Sequence, residues 1–499
     1  MDAIVVGSGP NGLVAAAELA RHGWRVLVLE AQNRPGGALY SLETTLPGYL
    51  HDVGAAFFPF AQASPAFRTL NLAQVGLQWR GGRFESSHPA PDGTCASIAR
   101  DPQLAAQTFG PDGPCWLKLA RWQQAMGDRL VDALLAPLPD FKAAFRLGPF
   151  NLLGLARAGL STPTGYSCRI FRTEAARRII PGLALHVDLG PEDFSGAALG
   201  VVLALLAAGS GFQVPVGGAR AITQALLFRL HEAGGEIRLN THVDAIVVRG
   251  GKAVAVHTWH GEEIPVRRAI LADVGAPALY LKLLPSRHVP SWLRQSIRRF
   301  QYGWGTFKMD WALSGPVPWS SSQAREAAVV HAGDSIDDLI AFTREVRAGN
   351  LPSNPYLVIG QQSLLDPSRA PPGRQTLWAY SHVPSWVRGE WKTHKERFAD
   401  RIEQRIEGLA PGFRALIRAR AIFAPDDLEA MNENLVGGDL GGGSARFSHQ
   451  LFFRPVFPYF RYRTPVRGLY LASASAHPGA GVHGACGFNA ARMALADYG

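Results

Sequence analysis

A strand that runs into spaced glycines and leaves through a helix constrains this chain more than any other feature. The opening reads MDAIVVGSGPNGLVAAAELARHGWRVLVLE. IVV is a short β-branched strand, GSGPNG a glycine turn, LVAAAELARHG an amphipathic helix, and RVLVLE a second strand that ends in an acid. That order gives a G-x-G-x-x-G pattern its meaning. Gly7 permits the tight turn, Gly9 lets backbone approach a pyrophosphate, and Gly12 lets helix and strand pack closely. The helix N-terminus then offers unsatisfied N–H groups to phosphate oxygens. Glu30 closes the second strand, where a carboxylate accepts hydrogen bonds from ribose hydroxyls and repels a 2′-phosphate. The unit is a dinucleotide site, and NADP is disfavoured there.

The rest of the composition narrows the partners. A chain of 499 residues calls for two or more domains, and 47% hydrophobic against 18% charged residues is a folded, globular balance. The net charge of +10 is scattered, with only short clusters such as Arg177-Arg178 and Arg298-Arg299. No basic run of the nucleic-acid kind occurs, so nucleic acid is excluded as a partner, while an anionic membrane surface fits better. Cys95, Cys115, Cys168 and Cys486 are too far apart for a zinc knuckle or redox pair, which reads as a reduced, cytoplasmic protein. The first apolar run is a strand and turn, so no signal peptide is expected. The uncharged stretch from Ser195 to Phe212 reaches the lower edge of a membrane span, yet its small residues and closing Gly-Ser-Gly favour a buried or membrane-dipping helix.

NAD and FAD share the adenosine diphosphate half, so the fingerprint alone leaves them open. Arg34-Pro35-Gly36-Gly37 follows Glu30 and offers a second close backbone approach. Here the chain resembles the flavoprotein superfamily of amine oxidases and phytoene desaturases, in which E-x-x-x-R-x-G-G follows the first βαβ unit. Arg is common after the glycine pair in the amine-oxidase branch; Ala38 here looks more like the phytoene desaturase-like branch. The C-terminal run GLYLASASAHPGAGVHGACGFNAARMAL resembles the strand, T-H-P-G-x-G and helix of carotenoid desaturases and ketolases. Ala476 replaces the usual threonine and His483 stands where proline is frequent. The resemblance implies FAD, with the second helix N-terminus aimed at the flavin ring and Gly479, Gly481, Gly484 and Gly487 lying against it. It also implies that Val214 to Val256 returns to the cofactor domain, where Val243 presents its backbone to the adenine, and that Ile270 to Pro277 rejoins the sheet.

The expected fold is therefore α/β: a discontinuous Rossmann-like FAD-binding domain with a second, α+β substrate domain holding a mixed sheet and helices. Segments 1–69, 212–277 and 455–499 make the first, and 70–211 and 278–454 the second. The candidate cofactor-binding set is Gly7, Gly9, Pro10, Asn11, Gly12, Glu30, Ala31, Arg34, Gly36, Gly37, Ala38, Val243, Ala472, Ser473, Gly481, Val482 and Gly484.

Two residues are candidates for chemistry. Lys308, on the strand GTFKMDWALSGPVP, matches a lysine that holds water near flavin N5 in the amine-oxidase branch. His477 lies within the flavin motif and can move protons near neutral pH. Trp304 and Trp311 flank the lysine and could line an apolar tunnel; Tyr459, Phe460 and Tyr462 could wall the flavin; Arg454 and Arg463 are expected to tie their loop to acids. Asn354 to Pro384 resembles a run of carotenoid ketolase-like members and places Trp378 and His382 near the substrate. No Ser-His-Asp triad, metal cluster or P-loop competes. The reading is an FAD-dependent enzyme that moves hydride from an apolar small-molecule substrate, a long isoprenoid or carotenoid, to flavin N5 in a desaturation, isomerisation or oxidation, with a peripheral membrane contact. An amine or amino-acid-derived oxidase using O₂ and a non-catalytic flavin-binding assembly protein are the alternatives, and oligomeric state is left open.

Overall fold

The computed structural model describes residues 1–498. Ala3–Val6 is buried along its whole length, as a strand covered on both faces must be. It pairs in parallel with Val26–Leu29 on one side and Ala269–Ala272 on the other. Glu236–Arg238 and Leu469–Leu471 complete a five-stranded parallel sheet. All its strands come from segments 1–69, 212–277 and 455–499. Val243–Arg249, Lys252–Thr258 and Glu263–Pro265 form an antiparallel three-stranded sheet beside it.

The helix Pro10–Arg21 departs from its amphipathic reading. Every residue from Asn11 to Ala20 is buried, because the helix lies between Ala485–Tyr498 and Arg220–Glu232. Glu18, buried there, is held by Arg21 at 3.0 Å. Alanine and glycine make the three-helix contact possible by keeping the side chains short.

The second sheet has seven strands in the order Ile417–Phe423, Gly305–Leu313, Gln375–Val383, Leu357–Gly360, Ala327–Ala332, Phe84–Pro89 and Cys95–Ile98. Only the Ala327–Ala332 to Phe84–Pro89 pairing is parallel. The amphipathic helix Trp391–Leu409 packs on it through Phe398 against Phe307 and Glu403 against the Trp311 indole N–H. The apolar stretch Gly196–Ala208 is a helix of the core, and among the described residues no helix is long and apolar enough to cross a membrane. A cavity of about 1220 Å³ lies between the two sheets.

Candidate functional site

One end of the cavity is built of backbone. Gly7, Ser8, Gly9, Pro10 and Asn11 line it, with Glu30, Ala31 and Arg34 beside them and Val243 and Asp244 beyond. The glycine requirement has a local cause in Asp273, at the end of the strand Ala269–Ala272. A Cβ at Gly7 would stand 2.9 Å from its carbonyl oxygen, one at Gly9 2.6 Å and one at Gly12 2.9 Å from its Oδ2. Asp273 Oδ2 accepts the Gly12 N–H at 2.8 Å, so this acid braces the turn from below. Burial pushes its carboxyl up to about 7, aided by nearby Glu30 and opposed by the Gly12 N–H. Sequence reasoning passed over Asp273; the signal was an acid ending a fully apolar strand, Ile270 to Asp273. Glu30 accepts from Ser8 N–H and Oγ at 2.8 and 2.6 Å and from Gln32 N–H at 2.9 Å, which holds the carboxylate at the cavity edge.

The C-terminal turn forms the middle of the cavity. Ser473, Ala474, Ser475, His477, Gly481, Val482 and His483 line it opposite Gly441, Gly442 and Gly443. Gly487, in the first turn of Ala485–Tyr498, lies directly on the backbone of Asn11, so the two helix N-termini meet at one site. His483 Nδ1 accepts the Ala485 N–H at 3.0 Å and caps the second helix. His477 Nε2 bonds the Ala136 carbonyl at 3.1 Å. Burial lowers both imidazoles to about 4, so each is neutral near pH 7. Arg454 serves this turn differently from its expected role. Its guanidinium donates to the carbonyls of Ala474, Gly441 and Ser444 rather than to an acid, clamping both glycine loops together. Arg463 does pair an acid, Asp497, at 2.8 Å.

Among the expected cofactor residues, Gly12, Gly36, Ala472 and Gly484 support the wall from behind rather than form it. Gly36 backs onto Leu39 and Thr223, and Gly484 onto Val14 and Phe67. The remaining thirteen line the cavity, as does His477, with Gly37 and Ala38 on the same side as Arg34. Lys308 does not. It shares a sheet face with Tyr380, its register partner, but the segment around Thr44 and His51 covers it. Its ammonium bonds Asp310 at 2.6 Å and lies 4.8 Å from the Phe423 ring centre. A buried ammonium without a carboxylate would be costly, so Lys308 pairs with Asp310 beneath the covering segment, away from the cavity lining.

The far half of the cavity is apolar. Leu199, Val202 and Leu203 come from the buried helix, Val329 and Val358 from the seven-stranded sheet, and Phe57 and Phe212 from loops. Trp304 lines this half, whereas Trp311 is core. Trp378, Tyr380 and His382 alternate along one strand and present the same face to the cavity, as a period of two requires. Tyr459, Phe460 and Tyr462 lie elsewhere, Tyr459 stacked on Trp292 and Tyr462 bonded to Asn489.

The site passes a chemical test for a flavin nucleotide. Asn11 Oδ1, Trp378 Nε1, His382 Nε2, His477 Nδ1 and His483 Nε2 are buried polar atoms without a partner in the chain, and all five belong to lining residues. Such atoms are costly unless an incoming group satisfies them. Asn11, His477 and His483 stand at the glycine-lined walls, where a ring with carbonyl and N–H edges would rest, and Trp378 and His382 lie toward the apolar half. Among the described residues no group of His, Cys, Asp and Glu is arranged to hold a metal ion.

Known proteins agree with this geometry. The family described as flavin containing amine oxidoreductase matches residues 11–492. Pyridine nucleotide-disulfide oxidoreductase domain-containing protein 2 of Mus musculus is 27% identical over 99% of this chain and 93% of its own length. The neurosporene-forming phytoene desaturase of Rhodobacter capsulatus is 26% identical over 96% of this chain and 91% of its own. The crystal structure of an oxidoreductase from Methanosarcina mazei superposes with a TM-score of 0.64 at 15% identity, covering 99% of this chain and 100% of that one.

Proposed function

The chain belongs to the flavin-containing amine oxidoreductase family and is an FAD-dependent oxidoreductase, and from that premise we propose that its substrate is a long apolar isoprenoid or carotenoid-type molecule, oxidised at a C–H bond. The observation that carries this is the apolar half of the cavity, continuous with the cofactor half and walled by Leu199, Val202, Leu203, Val329 and Val358. Relatives named as phytoene desaturases support the same reading. Two acids of the cavity are held by the chain itself: Asp188 accepts from Ser444 Oγ and Ala445 N–H, and Asp439 from the N–H groups of Gly303, Gly441 and Gly443. With Lys308 turned away as well, the amine-oxidase reading loses the residue that favoured it.

The flavin supplies the hydride acceptor when bound. The chain's own residues do the rest. The turn Gly7 to Asn11 offers N–H groups to the diphosphate, Glu30 the ribose acceptor, and Val243 the adenine wall. His477 and His483, neutral through burial, each keep one ring nitrogen unpartnered, which polar edges of a bound flavin would satisfy. The apolar wall orients the substrate and excludes water from the reacting C–H bond. Purified protein mixed anaerobically with polyene extracts should lose its flavin colour, and mixed with simple amines should not; colour loss with amines and peroxide release would reverse the assignment.

A lipid surface is the proposed source of substrate. Phe141, Phe145 and Phe150 are 81%, 87% and 87% exposed on the paired helices Phe141–Leu147 and Pro149–Gly159. Lys142, Arg146 and Arg157 stand among them, and Gly159 at the end of the pair lines the cavity. Exposed aromatics ringed by basic residues suit an anionic bilayer. Co-sedimentation with anionic vesicles should occur and should be lost in Phe145→Ser/Phe150→Ser; equal binding by both proteins would refute the contact.

A further inference from the structure

A chain of imidazoles leads away from the apolar half of the cavity. His186, on the cavity wall, bonds His331 through Nε2 to Nε2 at 2.7 Å. His331 Nδ1 bonds Ser86 Oγ at 3.0 Å, and Ser86 Oγ bonds His88 Nε2 at 2.8 Å. His88 and His331 stack with ring centres 4.5 Å apart at 14°. The placement follows from sheet register. Ser86 and His88 alternate on one strand, His331 lies on the strand paired in parallel with it, and all three point to the cavity side of the sheet. Buried polar residues on an otherwise apolar face are expensive unless they serve a purpose. His382, His477 and His483 bond backbone, whereas His186 and His331 bond each other and Ser86 joins His331 to His88.

Building on the reading above, we propose that His186 accepts the proton released when the substrate is oxidised, and that His331, Ser86 and His88 are positioning residues that set its tautomer and share the charge. One substrate C–H bond breaks with its electron pair leaving as hydride to the flavin, which is reduced by two electrons. The neighbouring C–H bond breaks heterolytically; its electron pair closes the new C=C bond and its proton goes to His186 Nδ1. Nε2 of His186 is committed to His331, and Nδ1 makes no hydrogen bond in the chain.

Two arrangements of protons satisfy every bond in the chain, each the reverse of the other. In one, His186 donates from Nε2 to His331, His331 donates from Nδ1 to Ser86, and Ser86 donates to His88. That arrangement leaves a free lone pair on Nδ1 of His186, a residue of the cavity wall. A hydrogen bond on one ring nitrogen deciding what the other can do is a general property of histidine. Burial lowers His186 to about 3 and His331 and His88 well below the usual range, so all three wait uncharged. A base that weak suffices because hydride loss leaves a cation whose adjacent C–H bond is strongly acidic. Around the chain stand His382 and Tyr380 at the cavity end, Tyr356 stacked on His331, and Arg178 beside His88. Arg178 donates to the His88 carbonyl at 2.7 Å, and its charge opposes a second positive charge there, so the accepted proton stays with the His186–His331 pair.

Two measurements test this. ¹⁵N-histidine NMR of the flavin-loaded protein without substrate should show His186 neutral, protonated on Nε2 and bare on Nδ1, and His331→Phe should abolish that preference. Stopped-flow anaerobic reduction should slow by about 10²-fold or more in His186→Gln, with half-saturating substrate and flavin spectrum unchanged. His331→Gln should slow it by roughly tenfold, and free imidazole should partly rescue His186→Ala. A His186→Gln rate within twofold of the parent, or a protonated Nδ1 in the NMR, overturns the proposal. If polyenes fail to reduce the parent protein at all, the substrate class is wrong, and the same variants measured with whichever substrate does reduce it decide the role of His186.

Discussion

The two halves of the cavity obey different rules. The cofactor half is shaped by backbone: glycines at Gly7 and Gly9 under an acid's reach, Gly441 to Gly443 opposite, and Arg454 binding carbonyls rather than carboxylates. The substrate half is shaped by side chains drawn from a helix, three strands and the loops around them. Backbone tolerates little change, because one Cβ meets atoms that cannot move. Side-chain walls tolerate exchange and adapt to what they hold. A rigid cofactor grip and an adjustable substrate wall follow from that contrast.

The largest effect should come from breaking the backbone half. Gly12→Val adds a Cβ 2.9 Å from Asp273 Oδ2 and still closer to the Gly7 carbonyl oxygen, so the turn must open. The purified variant should be colourless and stay so after incubation with FAD. Retention of flavin at parental stoichiometry would mean that the turn is softer than its contacts imply.

Next is Lys308, which separates scaffold from chemistry. Lys308→Met leaves the fully buried Asp310 without its ammonium, and breaking such a pair costs about 3–5 kcal/mol. Chemical denaturation should register that loss. Flavin reduction and reoxidation rates of the folded fraction should remain within about twofold, since the ammonium faces Asp310 and the covering segment. A slowed reoxidation with unchanged stability would return Lys308 to the site.

These two residues also mark how far the sequence could be read. Gly12 was legible because its requirement is local: strand, turn, helix and acid lie within the first thirty positions, and their spacing carries the geometry. The same holds for Leu469 to Tyr498, a strand, turn and helix read from consecutive residues. Lys308 was misplaced because its surroundings are assembled from distant segments. Thr44, His51 and Asp310 bury it, and no pattern around Lys308 announces that cover. Asp273 and the imidazole chain were missed for the same reason. Ser86, His88, His186 and His331 are unremarkable singly and meet only through sheet register and a helix turn. The helix Pro10–Arg21 reads as amphipathic because Glu18, Arg21 and His22 suggest a wet face, yet Arg21 and His22 both fold over a buried Glu18.

A smaller effect is expected from filling the adaptable half. Leu203→Trp places an indole where the apolar helix meets the cavity, so turnover of a long polyene should fall by about 10–100-fold, the range that one or two kcal/mol-scale pocket contacts carry. Flavin content should be unchanged. Loss of flavin in this variant would mean that the halves are one packing unit, and the contrast between them would fail.

The subtlest test sits at the boundary between acid and backbone. The Asp273 carboxyl is raised, chiefly by burial, to about 7, so the folded protein holds a proton there that the unfolded chain releases near pH 4. Its contribution to stability is complete below the ordinary carboxylate range and is lost as pH rises toward 7. His477 and His483 act in the opposite direction, being lowered to about 4, and cost stability as pH falls below their ordinary value. Comparing parent with Asp273→Asn cancels the histidines. The amide keeps an acceptor for the Gly12 N–H at 2.8 Å without a titrating proton. The parent should therefore lose stability between pH 4 and pH 7 relative to the variant. Above pH 7 the parent's ionised carboxylate also repels the diphosphate, so FAD affinity of the apoprotein should fall roughly fivefold from pH 7 to pH 8, while Asp273→Asn stays flat. Parallel titrations of the two proteins would show that the glycine turn is held by shape alone, and that the acid beneath it takes no electrostatic part in gripping the cofactor.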